Sequence, residues 1–217
     1  MTMPRADRAE PRVLEDAPVV HIVDDDENVR ASLAFLLQSV GLVTLTYPGA
    51  VAFLDEVDLD EPAVVILETR MRGMSGLRVQ ERLARAGCPA PVVFCSAHAD
   101  VPMAVRAMRA GAVDFFEKPY DSQRMLEVVQ AQVVEAERAY AERTARRRLE
   151  HALAALTPRE RDVLRLVVDG LPSQRIASEL GTSVKTIDVH RAHIRAKTDA
   201  PTLGSLVRDV LRHRVEL

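Results

Sequence analysis

Apolar runs in the first half of the chain end, one after another, in residues able to do chemistry. Val19-Val20-His21-Ile22-Val23 leads into Asp24-Asp25-Asp26-Glu27, and Val64-Val65-Ile66-Leu67 into Glu68. Val92-Val93-Phe94-Cys95 leads into Ser96, and Asp114-Phe115-Phe116-Glu117 into Lys118-Pro119. Aliphatic and β-branched runs without polar alternation fit strands covered on both faces. Val43 to Tyr47 adds a fifth strand. Between the runs the period changes. Val29, Leu33, Leu36, Leu37 and Val40 recur at helical spacing before Gly41, and further helices are expected at Val51 to Glu56, Leu77 to Ala86, Val101 to Ala110 and from Asp121 or Ser122 onward. This alternation predicts a doubly wound, five-stranded parallel sheet. In such a sheet the ligand crevice lies beyond the carboxyl ends of the strands.

The second half reads as helices only. The helix beginning near Asp121 has no stop signal through Tyr140, and Leu126, Val129, Val133, Ala136 and Tyr140 form a two-heptad seam. Its first turns are expected to pack on the sheet and the remainder to project as a linker or dimer contact. Thr157-Pro158-Arg159-Glu160 joins an N-cap, a proline at the first helical position and a glutamate three residues after the cap, so a helix starts there. Ser173, Ser183 and Thr202 are expected to cap three more. The resulting layout is a tail at 1–18 with scattered prolines, an α/β domain at 19–122, a helical linker at 123–152 and an all-α four-helix domain at 153–217.

Composition narrows the classes. Hydrophobic residues make up 47% and charged residues 28% of the 217, which is ordinary for a globular protein. Neither a membrane-spanning run nor a signal-peptide core is found, so a cytoplasmic protein with no membrane partner is expected. Cys88 and Cys95 have no partner at zinc spacing and are expected to be reduced. The net charge of −3 conceals an asymmetry. Residues 19–120 hold 9 basic against 14 acidic side chains, a balance of −5, whereas residues 151–217 hold 11 against 8, a balance of +3. The acidic half suits a cation and the basic half suits a phosphate backbone.

Aspartates, a glutamate, a hydroxyl and an ammonium converging on one crevice suit a hard cation and a phosphoryl group. With these residues the chain resembles two-component response regulators of the NarL/FixJ type, a flavodoxin-like receiver domain followed by a LuxR-type helix-turn-helix. The resemblance runs from about Val19 to the end. It implies a pocket of Asp24, Asp25, Glu68, Ser96, the switch aromatic Phe115, and Lys118, whose bond to Pro119 is usually cis in the family. It also implies a Mg²⁺ site at Asp24, Asp25 and the Arg70 carbonyl, with no cofactor required. The implied partners are promoter DNA, a second copy of the chain and a sensor histidine kinase. The implied role is a transcription regulator and not an enzyme. Gly73-Met74-Ser75-Gly76 also fails the Gly-x-Ser-x-Gly pattern of a nucleophile elbow.

One position departs from the family. Glu68 stands where the phosphoacceptor aspartate is expected, and Arg72 where the following loop usually has proline. A stem longer by one C–C bond, roughly 1.5 Å, misplaces a nucleophile, and about 1 Å can cost on the order of a hundredfold in rate. Three roles stay open for Glu68: a surrogate for a phosphoryl group, an inert scaffold, or a residual phosphoacceptor. The rival to a DNA-binding regulator is an interaction module whose receiver sequesters a partner.

The third helix of the second domain, Val184 to about Thr198, can be read at 100° per residue. Val184, Ile187 and Ile194 fall on the core side. Lys185, Val189, Ala192 and Ala196 form a narrow outer strip, flanked by Asp188 and Arg195 on one side and Thr186, His193 and Lys197 on the other. With the cap Ser183, these residues are the expected DNA-reading surface. Between Thr182 and Lys197 four cations face one acid, a balance of +3, which is modest and implies a dimer on two half-sites.

Overall fold

The computed structural model describes residues 18–58 and 60–217. The expected tail at 1–18 thus lies, but for Pro18, outside the described residues. The chain forms two compact units, one ending at Tyr140 and the other beginning at Ala141.

In the first unit β1 (Val19–Val23), β2 (Val43–Tyr47), β3 (Ala63–Leu67), β4 (Val92–Ser96) and β5 (Asp114–Glu117) build one parallel sheet in the order β2-β1-β3-β4-β5. Parallel neighbours need crossovers, here α1 (Glu27–Gln38), α2 (Ala50–Glu56), α3 (Gly76–Arg85) and α4 (Val101–Arg109). The apolar run of β3 is explained by its two faces. Val64 and Ile66 join a core with Leu33, Leu37, Met125 and Val129. Val65 and Leu67 join the opposite core with Phe53, Val79, Leu83 and Phe94. A period of two with both phases apolar is what a central strand between helical layers requires.

The helix α5 (Ser122–Ala154) has 33 residues. Its seam differs from the expectation of a projecting linker over 123–152. Met125, Val129 and Ala136 are fully buried in the first unit's core, Leu126 and Val133 pack against it, and Tyr140 is buried with its hydroxyl 3.4 Å from Cys88 Sγ. The seam serves the receiver itself, so it is not an open dimer surface.

The second unit contains the end of α5, α6 (Pro158–Val168), α7 (Ser173–Glu179), α8 (Val184–Thr198) and α9 (Leu203–His213) around Val163, Leu164, Ile176, Ile187, Ile194, Leu206 and Val210. The Thr157–Glu160 capping box is present at α6. Two details depart from the sequence reading. Pro172, not Ser173, occupies the N-cap of α7, and the Ser173 hydroxyl turns instead to α8. Val184 is 40% exposed, because it stands in the first turn of α8, ahead of the point where that helix meets the core at Ile187.

Candidate functional site

Parallel register brings the strand ends together. Val23 pairs with Leu67, and Ser96 with Glu117, so Asp24, Glu68, Ser96 and Lys118 emerge side by side. The Glu68 carboxylate is buried and meets five donors. Its Oε1 accepts from Ser96 Oγ at 2.7 Å, Thr69 Oγ1 at 3.0 Å and the Arg70 N–H at 3.1 Å. Its Oε2 accepts from Lys118 Nζ at 2.9 Å and the Ala97 N–H at 3.2 Å. Lys118 also reaches Asp24 Oδ2 at 2.5 Å, and the Asp26 N–H donates to Asp24 Oδ1 at 2.9 Å. Thr69 escaped the sequence reading. It is buried, and its hydroxyl lies 2.5 Å from Ser96 Oγ, so the two hydroxyls, with one proton each, alternate between Glu68 Oε1 and each other. A threonine just past a strand looks like any turn residue, and no sequence signal marks it.

Burial opposes charge on every member, and geometry decides who keeps it. For Glu68 the burial cost is outweighed by Lys118, Ser96 and the Arg70 N–H, which hold it below the ordinary carboxylate range. Asp24 is pushed up by burial despite its bond to Lys118. Lys118 is disfavoured by burial, yet the Asp24 and Glu68 carboxylates raise it to about 12. The ammonium between two carboxylates is the fixed charge of the pocket.

Other candidates lie apart from this cluster or have structural roles. Asp25, Arg70 and Arg72 are exposed, and the Arg70 side chain points to Asp100 at 3.7 Å. Phe115 is half-buried and stacks on Phe94 with ring centroids 6.0 Å apart. His21 is buried against Tyr47 and Phe53, its Nδ1 3.0 Å from Tyr47 Oη, and burial lowers it to about 4. Burial pushes the Cys95 thiol up to about 12, so it is a core residue.

In the second unit α8 presents Lys185, Asp188, Val189, Ala192, His193, Arg195 and Ala196 to solvent, with Thr186 half-buried. Ser183 caps the helix by accepting from the Thr186 N–H at 3.1 Å. Lys197, expected to face phosphate, also has a partner inside its own domain. Its Nζ donates to Glu160 Oε2 at 2.7 Å, and Glu160 is buried, with His193 Nδ1 3.8 Å from the other oxygen. Burial works against the Glu160 carboxylate, but Lys197 and the Thr157 N–H lower it from its ordinary 4.5 to about 2. A folded value below the unfolded one contributes stability that is complete above about pH 4.5 and lost as pH falls towards 2. Lys197→Ala should therefore lower stability at neutral pH by about 1.5–3 kcal/mol and flatten the acid limb of unfolding. Thermal unfolding between pH 7 and pH 2 checks this. An unchanged melting temperature with a shallower salt dependence of DNA binding would return Lys197 to the phosphates.

Comparison with known proteins agrees with both halves. Residues 20–130 match the response regulator receiver domain, and residues 154–208 match the bacterial regulatory proteins of the luxR family. The chain is 42% identical over 193 residues to the transcriptional regulatory protein FixJ of Azorhizobium caulinodans, covering 88% of this chain and 91% of that one. This chain belongs to the FixJ-type response regulators. Among other relatives is the C4-dicarboxylate transport transcriptional regulatory protein DctR of Rhodobacter capsulatus, 39% identical over 87% of this chain and 97% of that protein. The solved response regulator StyR superposes with a TM-score of 0.78 at 38% identity, over 90% of this chain and 99% of that one. Full-length FixJ from B. japonicum gives a TM-score of 0.53 at 34% identity, over 92% and 98%.

Response regulators with a LuxR-type domain are DNA-binding transcription factors, not classical enzymes. No helix among the described residues is long and apolar enough to cross a membrane. Receivers as a class bind Mg²⁺ at the phosphorylation site. In the arrangement seen, Lys118 competes with such an ion for Asp24. Both Asp24 oxygens and both Glu68 oxygens already accept hydrogen bonds, and Lys118 sits between the two carboxylates, where it repels a cation. Among the described residues no group of three or more His, Cys, Asp or Glu is disposed to hold a metal. Of the expected Asp24, Asp25 and Arg70 set, Asp24 is thus engaged by Lys118, and the Asp25 side chain is exposed.

Proposed function

We propose that this response regulator binds promoter DNA as a dimer without phosphorylation, its receiver held in the active-like arrangement by Glu68. The supporting observation is the set of five donors on one carboxylate, above all Ser96 and the Ala97 N–H from the end of β4 and Lys118 from the end of β5. A phosphoryl group would present three acceptor oxygens and a charge of roughly −1.5 to −2 to such donors. A carboxylate presents two oxygens and one charge, so the substitution is partial. The buried Ser96 hydroxyl bonds Glu68, and Phe115 stacks on Phe94, two contacts that fit the active-like arrangement. The same contacts disfavour phosphotransfer, since both Glu68 oxygens are already engaged. With the α5 seam buried, the dimer surface falls to α4, where Val101, Val105 and Met108 are exposed at helical spacing.

Comparing wild type with Glu68→Asp tests the reading. Wild type is expected to dimerise and bind DNA without a phosphodonor, and to gain no phosphoryl mass from acetyl phosphate and Mg²⁺. Glu68→Asp should start weaker and recover with the donor. Glu68→Asp/Arg72→Pro is the companion that removes any interference from Arg72. A phosphoryl adduct on wild type, or dimerisation that waits for the donor, would refute the reading.

A further inference from the structure

The helix that faces DNA carries an acid among its cations. Asp188 is exposed on α8 beside Val189, one turn from Lys185 and Ala192. Carboxylates on such a surface are repelled by phosphates, so a structural reason for this one should be visible if it has one. Three ordinary reasons fail. Asp188 lies in the second turn of α8, beyond the first turn where an acid stabilises a helix N-terminus. The cap position belongs to Ser183. Among the described residues no ion pair joins Asp188 to Lys185 or Arg191, although both stand three residues away.

What Asp188 does have is a tether. The Ser173 hydroxyl, at the start of α7, donates to Asp188 Oδ1 at 3.3 Å and accepts from Arg191 Nη1 at 2.9 Å. Ser173 and Arg191 are half-buried, while the acid they hold is exposed. One carboxylate oxygen is thereby fixed towards α7, and the other is left as an acceptor on the surface offered to DNA.

We propose that Asp188 is a base-selecting residue. Its outward oxygen accepts from the N4 amino group of a cytosine in the major groove, and Ser173 with Arg191 positions it. The chemistry follows from the groove: cytosine is the base whose major-groove edge offers only a donor, and Asp or Glu is its natural acceptor. Adenine also offers an amino donor, but beside the N7 acceptor, which repels the carboxylate. Guanine offers two acceptors, O6 and N7. The acid thus selects largely by exclusion, making every sequence without a well-placed donor worse. Val189 and Ala192, being short, leave the helix close enough for an aspartate to reach a base edge. The inference rests on DNA binding by the LuxR-type domain and is independent of Glu68.

The test uses the full-length chain. A site is first selected from a random duplex library, then each base pair of a half-site is varied and binding is read by fluorescence anisotropy, with random-sequence DNA alongside. Wild type should prefer cytosine at one pair per half-site by about tenfold. Asp188→Ala should lose that preference alone and bind random DNA several-fold more tightly, because a repulsive charge is gone. Asp188→Asn, nearly isosteric, should move the preference at the same pair towards adenine. Ser173→Ala should weaken the cytosine preference there while leaving random-DNA affinity and melting temperature unchanged, which a structural role for Ser173 would not do. Lys185→Ala, on the outer strip, should instead relax preference at another pair and leave the cytosine selection in place. The proposal is overturned if Asp188→Ala and Asp188→Asn change binding equally at all pairs, if neither alters preference, or if both lower the melting temperature in step with affinity.

Discussion

Replacing Glu68 with alanine should cost the protein most of its dimerisation and DNA affinity. The change removes one acceptor that five donors share and leaves Lys118 with Asp24 alone. A hydrogen bond involving a charged group is worth about 1.5–3 kcal/mol net. Removing one partner from a buried ion pair typically costs about 3–5 kcal/mol. The five contacts are not additive, since Thr69 and Ser96 can still bond each other. A net loss of about 3 kcal/mol on the active-like arrangement is a reasonable scale. At 1.4 kcal/mol per decade that shifts the receiver's equilibrium by roughly a hundredfold. Sedimentation and DNA titration read this shift. Glu68→Gln separates charge from shape, because it keeps one acceptor oxygen and should fall between wild type and alanine. Equal dimerisation and DNA affinity in wild type and Glu68→Ala, at matched melting temperature, would end the surrogate reading.

Gly76→Ala should be the most damaging small substitution in the receiver. A Cβ there would lie 2.2 Å from the backbone oxygen of Glu68 and 3.0 Å from both Leu67 Cγ and Phe94 Cε1. The nearest obstacle is main chain, so no rotamer can relieve the clash. The Gly76 N–H also donates to the Thr69 carbonyl at 3.0 Å, which fixes the start of α3 against the end of β3. Overpacking a core commonly costs about 1–3 kcal/mol and more where backbone must move. We expect a loss at or above 3 kcal/mol in urea unfolding of the receiver, accompanied by displacement of Glu68 and weaker DNA binding. Gly204→Ala is the contrast. Its Cβ would meet nothing nearer than Thr202 Oγ1 at 3.8 Å, so stability should be unchanged or rise by a few tenths of a kcal/mol. Similar melting temperatures for both variants would mean that the contact between α3 and β3 is looser than described.

Local chemistry wrote much of this protein plainly. The run from Val64 to Leu67 is apolar at every position, and only a strand between two helical layers has use for that. Thr157, Pro158 and Glu160 make a helix start from three neighbouring residues, and the capping box forms as read. The meeting of Asp24, Glu68, Ser96 and Lys118 also follows from sequence once the strands are parallel, because each residue ends a strand and parallel strands end on one side.

Tertiary structure alone decided the matters that depend on which distant residues touch. The α5 seam has the spacing of a free coiled-coil stripe, yet Val129 and Ala136 are buried in the receiver's own core and Leu126 and Val133 pack against it. Lys197 has the charge and angle of a phosphate contact, and only the packed structure shows that its ammonium also bonds Glu160, 37 residues earlier. Thr69 becomes part of the pocket through Ser96, 27 residues away, and Gly76 is required by the carbonyl of Glu68 rather than by its own turn. Periodicity and capping are set within one or two turns of chain and can be read there. Which partner a lysine, a hydroxyl or an apolar stripe finds depends on how finished elements pack, and distances across that packing are not encoded in any short stretch.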